Sequence, residues 1–148
     1  MADRLNGYRI LILETREEAQ FSRLLTEQGA EVDTVLPYVY DAQAADANIV
    51  AAVDEMAAGH IDAIALTNLG QVRRLIEVAR THGWEDKLRR GLERTPIASV
   101  GPAVSDELKS HGLRTDIYPA DDAFFMRPLI SAMAAALAKN PPRAGARR

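Results

Sequence analysis

The chain has 148 residues, of which 47% are hydrophobic and 26% charged, with a formal net charge of −3. That is the size and composition of one soluble globular domain, which excludes a wholly disordered chain. The absence of cysteine excludes disulfides, iron–sulfur clusters, cysteine nucleophiles and thiolate zinc sites together.

Residues 8–13 (YRILIL) form a short continuous apolar run, the mark of a strand buried on both faces. Residues 17–28 follow with Ala19, Phe21, Leu24 and Leu25 at helical spacing, and Gly29 stands at the C-cap position. Residues 31–36 (EVDTVL) make a second strand, closed by Pro37, and residues 38–46 show no period and read as a connection. Residues 47–58 suit a helix with Ile49, Val50, Val53 and Met56 as its stripe, and 61–66 (IDAIAL) a third strand. Thr67 or Asn68 can cap the next helix, whose face is Val72, Leu75, Ile76 and Ala79. A short helix over 84–92 precedes a fourth strand at 96–100 (PIASV), which runs through Gly101-Pro102 into a helix over 103–111. A fifth strand is expected at 114–118 and a last helix at 123–138. Strands alternating with helices predict an α/β fold, a flavodoxin-like doubly wound parallel sheet of about five strands with helices on both faces.

The last nine residues, NPPRAGARR, hold three arginines and no acid, and are expected to be a disordered basic tail over 140–148; the body without them sits at −6. Such a body repels phosphate chains, so no nucleic-acid partner is expected. No apolar run approaches the ~20 residues of a membrane helix, and the start MADRLNGYRI has no apolar signal core, so the expected address is the cytoplasm with no membrane partner.

In a doubly wound sheet, ligands sit beyond the carboxyl ends of the strands, at the switch in strand order. The segments there are 14–16, 37–40, 67–71 and 101–105. The first strand leads into LILETREEAQ, which lacks the glycines of a dinucleotide fingerprint, and no GxxxxGK[ST] occurs. A phospho-acceptor reading fails too, because the third strand ends in Thr67-Asn68 and not in aspartate. His60, His82 and His111 share no metal-ligand spacing and suit helix C-termini, so no metal is expected. Asp62, ahead of a buried strand, reads as a turn or capping residue. What remains is polar but not ionisable at neutral pH: Thr15, Thr67, Asn68, Ser105, Tyr38 and Tyr40. Helix starts near Asn68 and Pro102 add free N–H groups and a positive dipole end, which makes an anion cradle rather than an acid–base site. Capping alone accounts equally well for Thr67, Asn68 and Ser105, and Tyr38 could close an apolar edge with its hydroxyl in water.

Four segments carry a resemblance: GAEVDTVLPYVY, GHIDAIALTNLGQVRRLIEVA, IASVGPAVSDELKSHGLRTDIYP and FFMRPLISAM. In order and spacing they resemble uroporphyrinogen-III synthase over about residues 8–137. Its glycine-led strand ending at a tyrosine corresponds here to Tyr38, its D-x-x-x-F-T-S strand to 62–68, its G-P-x-T-x-x-x-L segment to 101–108, and its G-L/I-x-x-D-x-x-P strand to 112–119. The resemblance implies a lyase of tetrapyrrole synthesis that closes linear hydroxymethylbilane to uroporphyrinogen III, inverting the last pyrrole ring through a spiro intermediate without any cofactor. Its substrate would be a small molecule, a linear tetrapyrrole polycarboxylate. The implied catalytic residue is Tyr38, assisting departure of the substrate hydroxyl. The implied binding residues are Thr67, Asn68, Gly101, Pro102 and Ser105, with Thr15 added from the first strand's loop. Asn68 replaces a customary serine, Val104 a frequent threonine and Leu66 a common phenylalanine. Arg73, Arg74 and Arg127 are the candidate cations for substrate carboxylates, although a solvated helix face is the expected role of Arg73 and Arg74.

The resembled chain is about twice this length and two-lobed, and the match is to its C-terminal half. The expected division is therefore a 1–139 domain, either single or split as a 1–37 strand–helix–strand unit, a 38–46 crossover and a 47–139 main lobe. Exchange of the first unit between two copies would give a homodimer imitating the two lobes, and a homodimer is expected. The alternative function is a non-catalytic α/β module that keeps the fold for anion binding or assembly.

Overall fold

The computed structural model describes residues 4–13, 18–35 and 42–143, with backbone only for 18, 19, 35 and 42–46. Strand β1 (Arg9–Leu13) leads through α1 (Glu18–Glu27) to β2 (Glu31–Val35) and through α2 (Ala42–Ala57) to β3 (Ala63–Leu66). Helices α3 (Leu69–Thr81) and α4 (Glu85–Arg94) precede β4 (Ile97–Ser99) and α5 (Pro102–Ser110), and a tight turn at Ala120–Asp122 leads to α6 (Met126–Leu137). The sheet is parallel in the order β2-β1-β3-β4, with Ile10 opposite Ala63 and Ile64 opposite Ile97. This is the flavodoxin-like, doubly wound order, and its switch point lies between β1 and β3.

Alternation along each strand sorts the core into two layers. Leu11, Leu13, Ile64, Leu66 and Ile97 face one side, where Val53, Met56, Val72, Ile76, Leu88, Val104 and Leu108 of α2, α3, α4 and α5 cover them. Ile10, Ile12, Ala63, Ala65 and Ala98 face the other, against Phe21, Leu24 and Leu25 of α1 and Leu129, Ile130 and Met133 of α6. On that second face β3 and β4 present only alanines, so the larger side chains of α1 and α6 fill the layer. Gly29, at φ +90°, ends α1 in the left-handed region, and a Cβ there would stand 2.9 Å from Asn6 Cα.

Four strands are present among the described residues, not the expected five. Residues 114–118 contribute one bridge, Ile117 to Ala98, because a side chain takes a donor the ladder needs. The Asp116 carboxylate accepts the N–H of Ile97 in β4 at 2.9 Å, and Pro119 then ends the pairing. The aperiodic connection is also shorter than expected, since α2 begins at Ala42. Residues 42–46 (AQAAD) lack an apolar stripe but are rich in alanine, the strongest helix former, so propensity and not amphipathicity starts this helix. Helix α6 starts at Met126 rather than Ala123, because Asp121 and Asp122 are left-handed at φ 56° and Phe125 is extended. Of the segment 140–148, residues 140–143 are described. There the Arg143 N–H donates to Asp62 Oδ1 at 2.7 Å and its guanidinium to the Ile61 carbonyl at 3.1 Å. Residues 144–148 lie outside the described residues.

Asp62 is buried, and its other oxygen accepts the Arg9 N–H at 2.7 Å. It therefore clasps the starts of β1 and β3 to the C-terminal segment, the structural role expected of it. Among the described residues no helix is long and apolar enough to cross a membrane.

Candidate functional site

The switch point opens into a groove of about 570 Å³, lined by Gln20 and Leu24 of α1, Thr67 after β3, Val100 after β4, and Phe124 to Pro128 at the start of α6. Its polar wall is built around Gln71, which is 4% exposed. Asn68 caps α3: its side-chain oxygen accepts the Gln71 N–H at 3.0 Å, and the Gln71 carboxamide oxygen accepts the N–H of Thr67 at 2.6 Å and of Asn68 at 3.3 Å. This reciprocal box satisfies donors that a helix start leaves orphaned. The Gln71 amide nitrogen then donates across the switch point to the Leu13 carbonyl at 3.0 Å and to the Thr67 hydroxyl at 3.2 Å.

Helix α5 is different. Gly101 is its cap without a side-chain hydrogen bond, Pro102 occupies the first helical position, and Ser105 N–H already bonds the Gly101 carbonyl at 3.1 Å. Pro102 carries no N–H, so the N–H groups of Ala103 and Val104 are this helix's open donors. Of the two helix starts expected to bind anions, α3 is thus partly self-capped, and α5 is the one with no side-chain cap.

Thr67 lines the groove, Asn68 is exposed beside it, and Gly101 and Pro102 stand at the mouth of α5. Ser105 turns inward: its oxygen accepts the Thr115 hydroxyl at 3.1 Å, which itself pairs with buried Ser99 at 2.8 Å. Val104, at the position of the missing hydroxyl, is 3% exposed and packed in the core, so its side chain belongs to the fold and not to the groove. Thr15 and Tyr38 lie outside the described residues. Arg73, exposed as expected, is paired with Glu107 at 3.1 Å, whereas Arg74, paired with Glu77 at 3.1 Å, is mostly buried and not on a solvated face. Arg127, in contrast, reaches the groove and also lines a second, narrower one between α1 and α6 together with Arg4.

Sequence reasoning missed Gln71 and the aromatic rim. The Asn-x-x-Gln spacing is itself a readable capping signal, close to the Ser/Thr-x-x-Glu/Gln form. Phe124 and Phe125 had no such signal. Gly101 is where a Cβ would come within 3.4 Å of Phe124, and Phe125 is 72% exposed at the rim. Tyr118 packs edge-on against Phe124 at 5.6 Å between ring centroids. Partial burial, and then the charges of Asp122 and Asp106, push its phenol pKa above the ordinary value, so it stays neutral. Among the described residues the groove accordingly offers the Thr67 hydroxyl, the Arg127 guanidinium and aromatic faces, which suits a ligand combining acidic groups with flat rings.

The family model for uroporphyrinogen-III synthase HemD matches residues 1–124. Among solved structures, the fold is similar to wild-type uroporphyrinogen III synthase from the extremely thermophilic bacterium Thermus thermophilus. The TM-score is 0.54 at 23% identity, over 90% of this chain and 51% of that one. A selenomethionine form of a mutant of the same enzyme gives 0.52 at 22% identity, over 92% and 53%. No curated protein matches the chain. The chain spans about half the length of the solved structures it matches.

Proposed function

The chain belongs to the uroporphyrinogen-III synthase HemD family, and from that membership we propose that it closes hydroxymethylbilane to uroporphyrinogen III. The observation that carries the reading is the groove at the β1/β3 switch point, where Thr67, Val100 and Arg127 converge. It offers acid-binding donors next to apolar and aromatic surface, which are the needs of pyrrole rings bearing carboxylates. Bulk charge does not attract such a substrate to a body at −6, so local donors must hold it: Thr67, Asn68, the open end of α5 after Gly101-Pro102, and Arg127.

In this reading the chemistry asks little of the protein beyond placement. The substrate's hydroxymethyl C–O bond breaks, the hydroxide leaves as water after taking a proton, and the resulting azafulvene carbon is attacked by the last ring, which inverts through a spiro intermediate. Tyr38, three residues beyond β2 in sequence, is the proposed donor to the departing hydroxyl, with Thr15 as a further binding position. Folding the substrate so that the correct carbon attacks is catalysis by positioning, worth several powers of ten in well-aligned intramolecular reactions.

Half the length of the solved synthase structures supports a further part of the proposal, a homodimer in which two copies form the two walls of one cleft. The exchanged unit would be 1–37, with 38–46 as crossover and 47–139 as main lobe. Within one chain β1 lies between β2 and β3, and exchange of 1–37 would carry the β1–β2 pair along and remake the β1–β3 pairing between copies. The cytoplasm is the proposed setting, in keeping with the absence of cysteine. The test is to supply the chain with hydroxymethylbilane and resolve the uroporphyrinogen isomers. Isomer III is expected, and isomer I alone, the uncatalysed product, would overturn the proposal.

A further inference from the structure

The hydrogen bonds of Gln71 determine more than its own position. A carboxamide has one acceptor oxygen and two N–H donors, and which end points where is decided by its partners. Here the partners leave no choice. The oxygen faces the backbone N–H groups of Thr67 and Asn68, which can only donate, and the nitrogen faces the Leu13 carbonyl, which can only accept. The second N–H on that nitrogen therefore points at the Thr67 hydroxyl, 3.2 Å away, and makes Thr67 Oγ1 an acceptor. The hydroxyl's own proton is then left over, and among the described residues no acceptor takes it, while Thr67 lines the groove. The backbone N–H of Gln71 does the same for Asn68: it holds the side-chain oxygen at 3.0 Å, which leaves the exposed amide NH₂ as the outward end.

We infer that Gln71 is a positioning residue that sets the hydrogen-bond polarity of the site, holding Thr67 and Asn68 as donors toward the groove and so selecting acceptor ligands, carboxylate or phosphate oxygens, over donor ones. Gln71 does not touch the ligand. It acts through Thr67 and Asn68, and its bond to Leu13 ties their loop to the end of β1, across the switch point. The inference rests on the proposed function only for the identity of the ligand, not for its chemistry.

A double-mutant cycle on ligand binding tests it, with two probes: uroporphyrin III, the stable octacarboxylate, followed by fluorescence, and inorganic phosphate, followed by amide chemical shifts. Thr67→Val and Gln71→Met are each expected to weaken binding about tenfold, the scale of one hydrogen bond to a charged acceptor. Thr67→Ser keeps the hydroxyl and is expected to bind like the parent. In the Thr67→Val background Gln71→Met should cost less than in the parent, because Gln71 then has no hydroxyl to orient and acts on Asn68 alone. A Gln71→Met loss that persists undiminished in the valine background would mean a merely structural residue and would overturn the inference. So would parental binding by Thr67→Val, a result that can be read even if the Gln71 variant does not fold. Phosphate bound without uroporphyrin would sink the tetrapyrrole reading while the cycle, read on phosphate, still decides the role of Gln71. Failure to bind either probe would overturn the inference itself, which assigns these outward donors an anionic acceptor ligand.

Discussion

Replacing Asp62 with alanine is the sharpest test of how the fold is held together. Its carboxylate is 3% exposed and accepts two backbone N–H groups at 2.7 Å, one from Arg9 at the start of β1 and one from Arg143 in the C-terminal segment. Each is a bond to a charged acceptor, worth about 1.5–3 kcal/mol where water cannot replace it. Both N–H groups are only part-buried, so water recovers some of that loss. The expected total is about 2–4 kcal/mol, which for a domain of this size lowers Tm by roughly 5–15 °C. Thermal unfolding and urea titration measure it, and the urea slope should stay constant while the midpoint falls. Asp62→Asn keeps one acceptor oxygen and should lose about half as much. Because the Arg143 bond is one of the two, ending the chain after Asn140 should cost less in the Asp62→Ala background than in the parent. A loss below about 0.5 kcal/mol for Asp62→Ala, the scale of an ordinary surface change, would show that the clasp does not hold these elements and would refute the reasoning.

Gly29→Ala forces a Cβ into the left-handed region against Asn6 Cα, and should destabilise by more than the ~1–2 kcal/mol of the backbone penalty alone, as urea unfolding would show. Tyr8 donates its buried hydroxyl to the Leu137 carbonyl at 2.6 Å, and burial, then the charge of Asp62, raises its pKa above the ordinary value near 10. A raised folded pKa favours the protonated phenol, so its contribution is fully present below about pH 10 and is lost as pH rises through the folded value. Alkaline unfolding should therefore be steeper for the parent than for Tyr8→Phe, and equal pH profiles would contradict this. Tyr38→Phe should lower the rate of uroporphyrinogen III formation without changing Tm, and an unchanged rate would remove Tyr38 from the site. Light scattering at micromolar concentration should give a dimer, and a species of 16.2 kDa would count against the paired lobes.

The elements best read in advance were those whose signal is local. The run RILIL has only one place to go in an α/β chain, and the stripe Val72, Leu75, Ile76, Ala79 lies buried on α3 as its period demands. The fifth strand is not formed although 114–118 has strand composition, and nothing local tells that the Asp116 side chain takes the Ile97 N–H from the ladder. The start of α2 was missed for the opposite reason: 42–46 is helical by alanine content, with no face to reveal it. In the site, Thr67, Asn68, Gly101 and Pro102 were legible because strand ends and helix starts are where a doubly wound sheet puts its ligands. Ser105 was not, since its direction depends on Thr115, ten residues on and across α5.

By itself, then, the sequence determined the α/β class and the parallel order of strand and helix, and it singled out the loops of the candidate site, because hydrophobic period and capping chemistry act over a few residues. Tertiary structure alone decided which of those polar groups face the groove, which are spent on the fold, and which way each hydrogen bond points. Those outcomes hang on partners far apart in the chain: Gln71 on Leu13, Asp62 on Arg143, Gly101 on Phe124. A hydroxyl or amide has no preferred direction until something distant supplies the other half of its bond.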